Sequence, residues 1–222
     1  MKVQLCDYNA ADVVIKKTYA LEWRELETAI SALPLHLKSS DQAGIQGSPI
    51  FDPIGTNAFL RQKLRGHGWD TNIPIPEEYS FLGTDIDFGK KGVLVEAQFS
   101  NYPFLLNNTL RCELFFKGRF QIGGEKTGLA IIVTKAGMFP ASNSTLYYEQ
   151  VKKQLDALAH HRVFTVPLRL IGLTSDVGKQ VPVTWTVYKE ARYSRTIKTQ
   201  GQIVCEIVAG SPRCKINLPK RS

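Results

Sequence analysis

Residues 129–173 read "LAIIVTKAGMFPASNSTLYYEQVKKQLDALAHHRVFTVPLRLIGL". The two ends, 129–134 and 163–173, are nearly all apolar, the pattern of strands covered on both faces. Between them, residues 142–161 place apolar side chains at helical spacing among lysines, acids and glutamines, enough for a helix of about five turns. Strand, helix, strand in that order predicts a βαβ crossover. The fold class expected is α/β, with a mixed central β-sheet flanked by helices.

Toward the N-terminus, "ALEWRELETAISAL" at 20–33 has apolar spacing near 3.6 and predicts an amphipathic helix. Residues 39–56 are rich in Gly, Ser and Pro and read as a loop. That loop ends on a helix start, with Thr56 or Asn57 as N-cap and Gly66 as the stop. "TNIPIPEEYSF" at 71–81 is held extended by its prolines, and "VLVEAQF" at 93–99 is a further strand. Beyond residue 180 the character changes. "VPVTWTVY" and "GQIVCEIVAGSPRCKINL" alternate apolar and polar residues around a Gly-Ser-Pro turn. The expected organisation is an α/β core over 1–180 and a β-rich C-terminal elaboration over 181–222.

With 222 residues, 43% apolar and 22% charged, the chain has the composition of a globular domain. No apolar run approaches the ~20 residues of a membrane span. The first residues, "MKVQLCDYNAADVV", lack the apolar centre of a secretion signal, so a cytoplasmic location is expected. A net charge of +8 and a pI near 9.3 favour a polyanionic partner such as nucleic acid. Cys6, Cys112, Cys205 and Cys214 form no C-x-x-C pair and read as reduced packing residues. His36, His67, His160 and His161 fall in no metal-ligating pattern.

Chemistry concentrates in "TDIDFGKKGVLVEAQ" at 84–98. Along the strand, Val95, Ala97 and Phe99 share one face, and Glu96 and Gln98 share the other. A hairpin through "GKKG" returns Asp87 to the side of Glu96. Two carboxylates, with the Ala97 carbonyl as a backbone ligand, suit Mg²⁺ and the hydrolysis of a phosphodiester. The plainer alternative makes Asp87 a turn residue and puts Glu96 and Gln98 on a solvated strand face.

Longer strings weigh against that alternative. "LGTDIDFGKKG" and "VEAQFSNYPFLLNNTLR" closely resemble the BglII group of restriction endonucleases. So do "MFPASNSTLYYEQ", "PLHLKSSDQA", "WDTNIPIPEEYSFLGTD" and "RYSRTI". The likeness runs from about residue 7 to about residue 198, and the tail beyond departs from it. It implies a type II restriction endonuclease of the PD-(D/E)-x-K superfamily, a homodimer acting on double-stranded DNA with Mg²⁺. The superfamily's acids fall on Asp87 and Glu96. Gln98 stands where the superfamily usually has Lys, a variation the BglII group itself carries. The resemblance also implies that Asn72 supports Gln98.

An amide at position 98 brings no positive charge and cannot act as a base, so it can only orient its neighbours. For base reading the candidates are Ser100, Asn101, Arg111, Asn143, Ser144, Tyr193 and Arg195. Asn suits adenine and Arg suits guanine in the major groove. Asn143 and Ser144 read equally as the N-cap of the helix that follows, and 192–198 as a basic exposed strand. The resemblance implies a GATC-centred palindromic hexamer, AGATCT or a relative, cut to leave 5′ overhangs. Two other readings remain: a DNA-binding protein without catalysis, motivated by the missing Lys, and a junction-resolving nuclease of the same superfamily.

Overall fold

The computed structural model describes residues 1–100, 102–142, 146–190, 196–210 and 213–219. The chain opens with strand β1 (Lys2–Tyr8), then helices α1 (Ala11–Lys17) and α2 (Ala20–Ser31). Strands β2 (Leu35–Ser39) and β3 (Pro49–Phe51) precede helix α3 (Pro53–Arg65) and strand β4 (Asp70–Pro74). A 3-10 segment, Glu77–Leu82, leads into β5 (Asp85–Lys90), β6 (Val93–Ala97) and helix α4 (Tyr102–Lys117). The short strands β7 (Gln121–Ile122) and β8 (Glu125–Lys126) come before β9 (Leu129–Lys135), helix α5 (Tyr148–His160) and β10 (Leu168–Thr174). Strands β11 (Gln180–Tyr188), β12 (Ile197–Val208) and β13 (Lys215–Asn217) follow.

The main sheet has the order β1-β10-β9-β6-β5-β4. β10, β9 and β6 are parallel neighbours, whereas β1, β5 and β4 run antiparallel to theirs. The crossover expected from 129–173 is present: β9 and β10 pair in parallel, with Leu168 opposite Ala130, and α5 connects them. Alternation explains why these strands are apolar throughout. Leu129, Ile131, Val133, Ile171 and Leu173 face one layer with α1, α2 and α3, through Ile15, Leu26, Ile30, Leu60 and Leu64. Ala130, Ile132, Leu168 and Leu170 face the other, with Leu105, Cys112 and Phe115 of α4 and Val151 and Leu155 of α5. Each such fully buried aliphatic side chain contributes about 1.5–3 kcal/mol of transfer free energy.

A second sheet has the order β13-β12-β11-β2-β3. β11 and β12 form a long antiparallel pair, as the alternation after residue 180 predicts, and β11 also runs parallel to β2. The β-rich elaboration is therefore completed by residues 35–51. Its buried Val183, Cys205, Ile207 and Ile216 join the apolar cluster under the main sheet.

Several boundaries differ from the sequence reading. Helix α3 starts earlier than Thr56 or Asn57. Asp52 is the N-cap, its carboxylate accepting from the Ile54 N–H at 3.1 Å, and Pro53 occupies the first turn. Helix α5 begins at Tyr148, with an extended Tyr147 at its N-cap, and the expected caps Asn143 and Ser144 lie outside the described residues. Strand β10 starts at Leu168, just after Pro167, which has no N–H to give a ladder. Helix α4 was not anticipated, because it is apolar on more than one face and shows no clean helical stripe. The four cysteines are free. No helix among the described residues is long and apolar enough to cross a membrane.

Candidate active site

The β5–β6 hairpin places the two acids. Its turn residues, Lys91 and Gly92, both have positive φ, 44° and 79°, the two-residue turn whose twist matches the strands. At Gly92 a Cβ would lie 2.5 Å from the Lys126 carbonyl oxygen, so glycine is required by space as well as by conformation. The pairs Lys90 with Val93, Gly89 with Leu94 and Phe88 with Val95, carried one step further, set Asp87 opposite Glu96. The Ala97 N–H donates to Asp87 Oδ2 at 2.8 Å, fixing that carboxylate.

Neither acid sits in an ordinary environment. Burial raises Asp87, the Ala97 N–H pulls it back, Asp85 pushes it up again, and Arg111 and Arg61 lower it. Burial raises Glu96 to about 8, with the Arg111 charge lowering it and the Asp87 charge raising it. Glu96 is only 3% exposed.

Arg111, expected at the DNA, is instead 5% exposed behind Glu96. Its Nη2 donates to Glu96 Oε1 and its Nη1 to the Leu82 carbonyl at 3.0 Å. Its guanidinium therefore faces the acids rather than a groove. The reason is local: Gly83, at φ 129°, leaves the guanidinium room that a Cβ would fill at 2.6 Å from Nη1.

Gln98 is held at both ends. Asn108 Nδ2 donates to its Oε1 at 3.0 Å, and its Nε2 donates to Ser100 Oγ at 2.5 Å. The buried Asn108 of α4, not Asn72, is thus the asparagine that supports Gln98. Sequence reasoning missed it because α4 itself was missed. Asn72 is exposed on β4 between the pairs Thr71–Phe88 and Ile73–Ile86, a register that sets it across from Asp87. Its φ of 53° is a left-handed backbone inside a strand, which Asn tolerates better than most residues.

Two adjoining cavities of about 400 Å³ open beside the hairpin. One is lined by Asn72, Asp85, Asp87, Asn57 and Arg61 among others. The other includes Ala97, Gln98, Ser100, Lys38 and Ser142. Pro53 and Asn57 line both, joining them into one cleft along the first turns of α3. Of the expected base-reading residues, Ser100 lies on this cleft. Asn101, Asn143, Ser144, Tyr193 and Arg195 fall outside the described residues. Asn57, Arg61 and Lys38 carry no motif that could have marked them in the sequence.

The donors present suit a hard divalent cation. Asp87 and Glu96 offer carboxylate oxygens and Ala97 a carbonyl; the Asp85 charge raises Asp87 and the Asp87 charge raises Glu96, a repulsion that a cation beside the acids relieves. No cluster of three or more His, Cys, Asp or Glu at metal-binding positions exists among the described residues.

The family model for the restriction endonucleases BglII/BglIII matches residues 3–173. Type II restriction enzyme BglII of Bacillus subtilis is 50% identical over 208 residues, 94% of this chain and 92% of its own. A crystal structure of restriction endonuclease BglII complexed with a DNA 16-mer superposes with a TM-score of 0.93 at 47% identity, covering 99% of this chain and 100% of that one. Free BglII superposes with a TM-score of 0.78 at 45% identity, again over 99% of this chain and 100% of that one.

Proposed function

The chain belongs to the BglII/BglIII restriction endonuclease family, a type II restriction enzyme by descent, and from that premise we propose that it cuts double-stranded DNA at a GATC-centred palindrome with Mg²⁺. AGATCT is the first candidate site, with cuts that leave 5′ overhangs. The observation that carries the reading is Asp87 opposed to Glu96 on one hairpin, with the Ala97 N–H bonded to the Asp87 carboxylate and a cleft that Asp87 lines.

Asp87, Glu96 and the Ala97 carbonyl would hold the ion. When bound, it would supply positive charge at a non-bridging phosphate oxygen and acidify a water. Asp87 is oriented for this by the Ala97 N–H. Arg111 holds Glu96 in place and offsets its burial. Gln98 positions rather than titrates, since Asn108 and Ser100 fix both ends of its amide. Asn72 lines the same cavity as Asp87, at the edge of the reacting region. Ser100 projects into the adjoining part of the cleft, and Asn101, Asn143, Ser144, Tyr193 and Arg195 complete the proposed base-reading set.

A palindrome calls for two-fold symmetry, one subunit per strand. Helix α4 supports a homodimer. Leu105, Cys112 and Phe115 fill the core, yet Leu106, Leu110 and Leu114, each four residues apart, remain exposed with Phe104. A helix apolar on both faces is one that assembly covers.

The test is digestion of a plasmid carrying several GATC-centred hexamers with Mg²⁺, followed by run-off sequencing of the ends. Discrete fragments ending within one palindrome are expected. Intact plasmid would support the non-catalytic alternative, and sequence-independent products a structure-specific nuclease.

A further inference from the structure

We propose that Arg61 contacts the scissile phosphate from helix α3 and supplies there the positive charge that the motif strand, ending in a neutral glutamine, lacks. The inference rests on the nuclease reading above and names a further catalytic residue for it.

The geometry carries the case. Arg61 lies one helical turn after Asn57, and both line the cavity that holds Asn72, Asp85 and Asp87. Among the described residues it is the cation on that cavity. Two other cations lie nearby. Arg111 is buried against Glu96 and Leu82, and Lys38 lines the adjoining cavity with its ammonium 5.5 Å from the Tyr188 ring centroid.

Arg61 Nε is buried without a hydrogen-bond partner, as is Arg111 Nε, but the Arg61 side chain lines the cavity whereas the Arg111 guanidinium is bonded to Glu96 and Leu82. The neighbouring Asn57 Oδ1 is likewise unpartnered. A buried guanidinium donor with no acceptor calls for an explanation, and a ligand oxygen in the cleft provides one. Its field already reaches the reacting centre, since it lowers Asp87. The first turn of α3, at Pro53 and Ile54, borders the same cavity and adds the positive end of a helix dipole.

The chemistry fits the position. As the attacking water oxygen bonds to phosphorus and the bond to the leaving sugar oxygen breaks, negative charge gathers on the phosphoryl and leaving oxygens. A guanidinium stays protonated at working pH and offers planar donors matched to phosphate. Such a contact strengthens as charge builds, so it acts on turnover more than on binding.

The experiment compares Arg61→Met and Arg61→Lys with the wild type on one GATC-centred duplex. Single-turnover cleavage is measured at saturating Mg²⁺ and DNA, and binding without metal. Arg61→Met is expected to slow cleavage by about 10²–10³-fold, as for removal of one preorganised donor, and to weaken binding less than about tenfold. Arg61→Lys recovers part of the rate. In the binding assay, a duplex with a methylphosphonate at the cut position weakens the wild type and adds nothing to Arg61→Met. A rate within threefold of wild type, or a loss confined to binding, overturns the proposal. Asp87→Ala, run alongside, separates the two readings. If it cuts normally, the nuclease site is misplaced. If it is dead while Arg61→Met cuts normally, only the role of Arg61 fails. A circular-dichroism melt screens folding, and Arg61→Gln replaces Arg61→Met if the apolar variant unfolds.

Discussion

Asp87 has one oxygen held by a backbone N–H and its carboxylate on the cleft, so its removal deletes a ligand without unpacking a core. Asp87→Ala should lower Mg²⁺-supported cleavage by more than about a hundredfold, the scale of losing one charged group from a preorganised site. Metal-free binding to the GATC-centred duplex, followed by gel shift, should stay near wild type, and normal cutting would sink the metal-site reading. Gln98→Glu adds a third carboxylate beside the pair while keeping an acceptor for Asn108. The Mg²⁺ titration of cleavage should shift, and an unchanged titration would mean that Gln98 is remote from the ion. Glu96 carries a pH signature. Its folded pKa lies above the ordinary value of 4.5, near 8. The neutral form is therefore the one that folding favours, fully below about pH 4.5 and lost as pH rises through 8. In thermal melts without metal, Glu96→Gln should gain on the wild type between pH 5 and pH 8. A difference that stays flat or shrinks would show that Glu96 remains ionised across the range.

The hairpin and the 3-10 segment before it act as one support. Leu82 and Gly83 receive the Arg111 guanidinium, which in turn holds Glu96 on β6. Gly83→Ala inserts a methyl at 2.6 Å from Arg111 Nη1 and asks alanine to adopt φ 129°. The expected cost is about 1–3 kcal/mol for a residue held in a sparsely populated backbone region, read by urea denaturation. Cleavage should fall with it, because Glu96 loses its anchor, and a variant as stable and active as wild type would refute the coupling. The elements were unequally legible in the sequence. The βαβ crossover stood out because strands buried on both faces must be apolar throughout. Helix α4 did not, because its inner face packs on the sheet while its outer leucines blur the helical period. The start of α3 was marked by Asp52-Pro53, but local capping rules allowed Thr56 or Asn57 as well.

At the scale of the molecule, a main sheet with helices on both faces shares its core with a second sheet, and the cleft runs where α3 meets the hairpin. In the proposed dimer the exposed leucines of α4 meet their symmetry mates. Leu110→Glu should shift sedimentation from dimer to monomer and turn double-strand cuts into slow nicking, whereas an unchanged dimer would move the interface elsewhere. The amino-acid sequence by itself determined the α/β class, the crossover and the order of acids around the β5–β6 turn. These follow from periodicity and turn chemistry within a few residues of one another. Only the tertiary structure decided that Arg111 turns inward to Glu96, that Asn108 rather than Asn72 steadies Gln98, and that β2 and β3 complete the C-terminal sheet. The partners of a buried charge or amide are chosen by which distant segments meet in space, and residue spacing along the chain carries no record of that meeting.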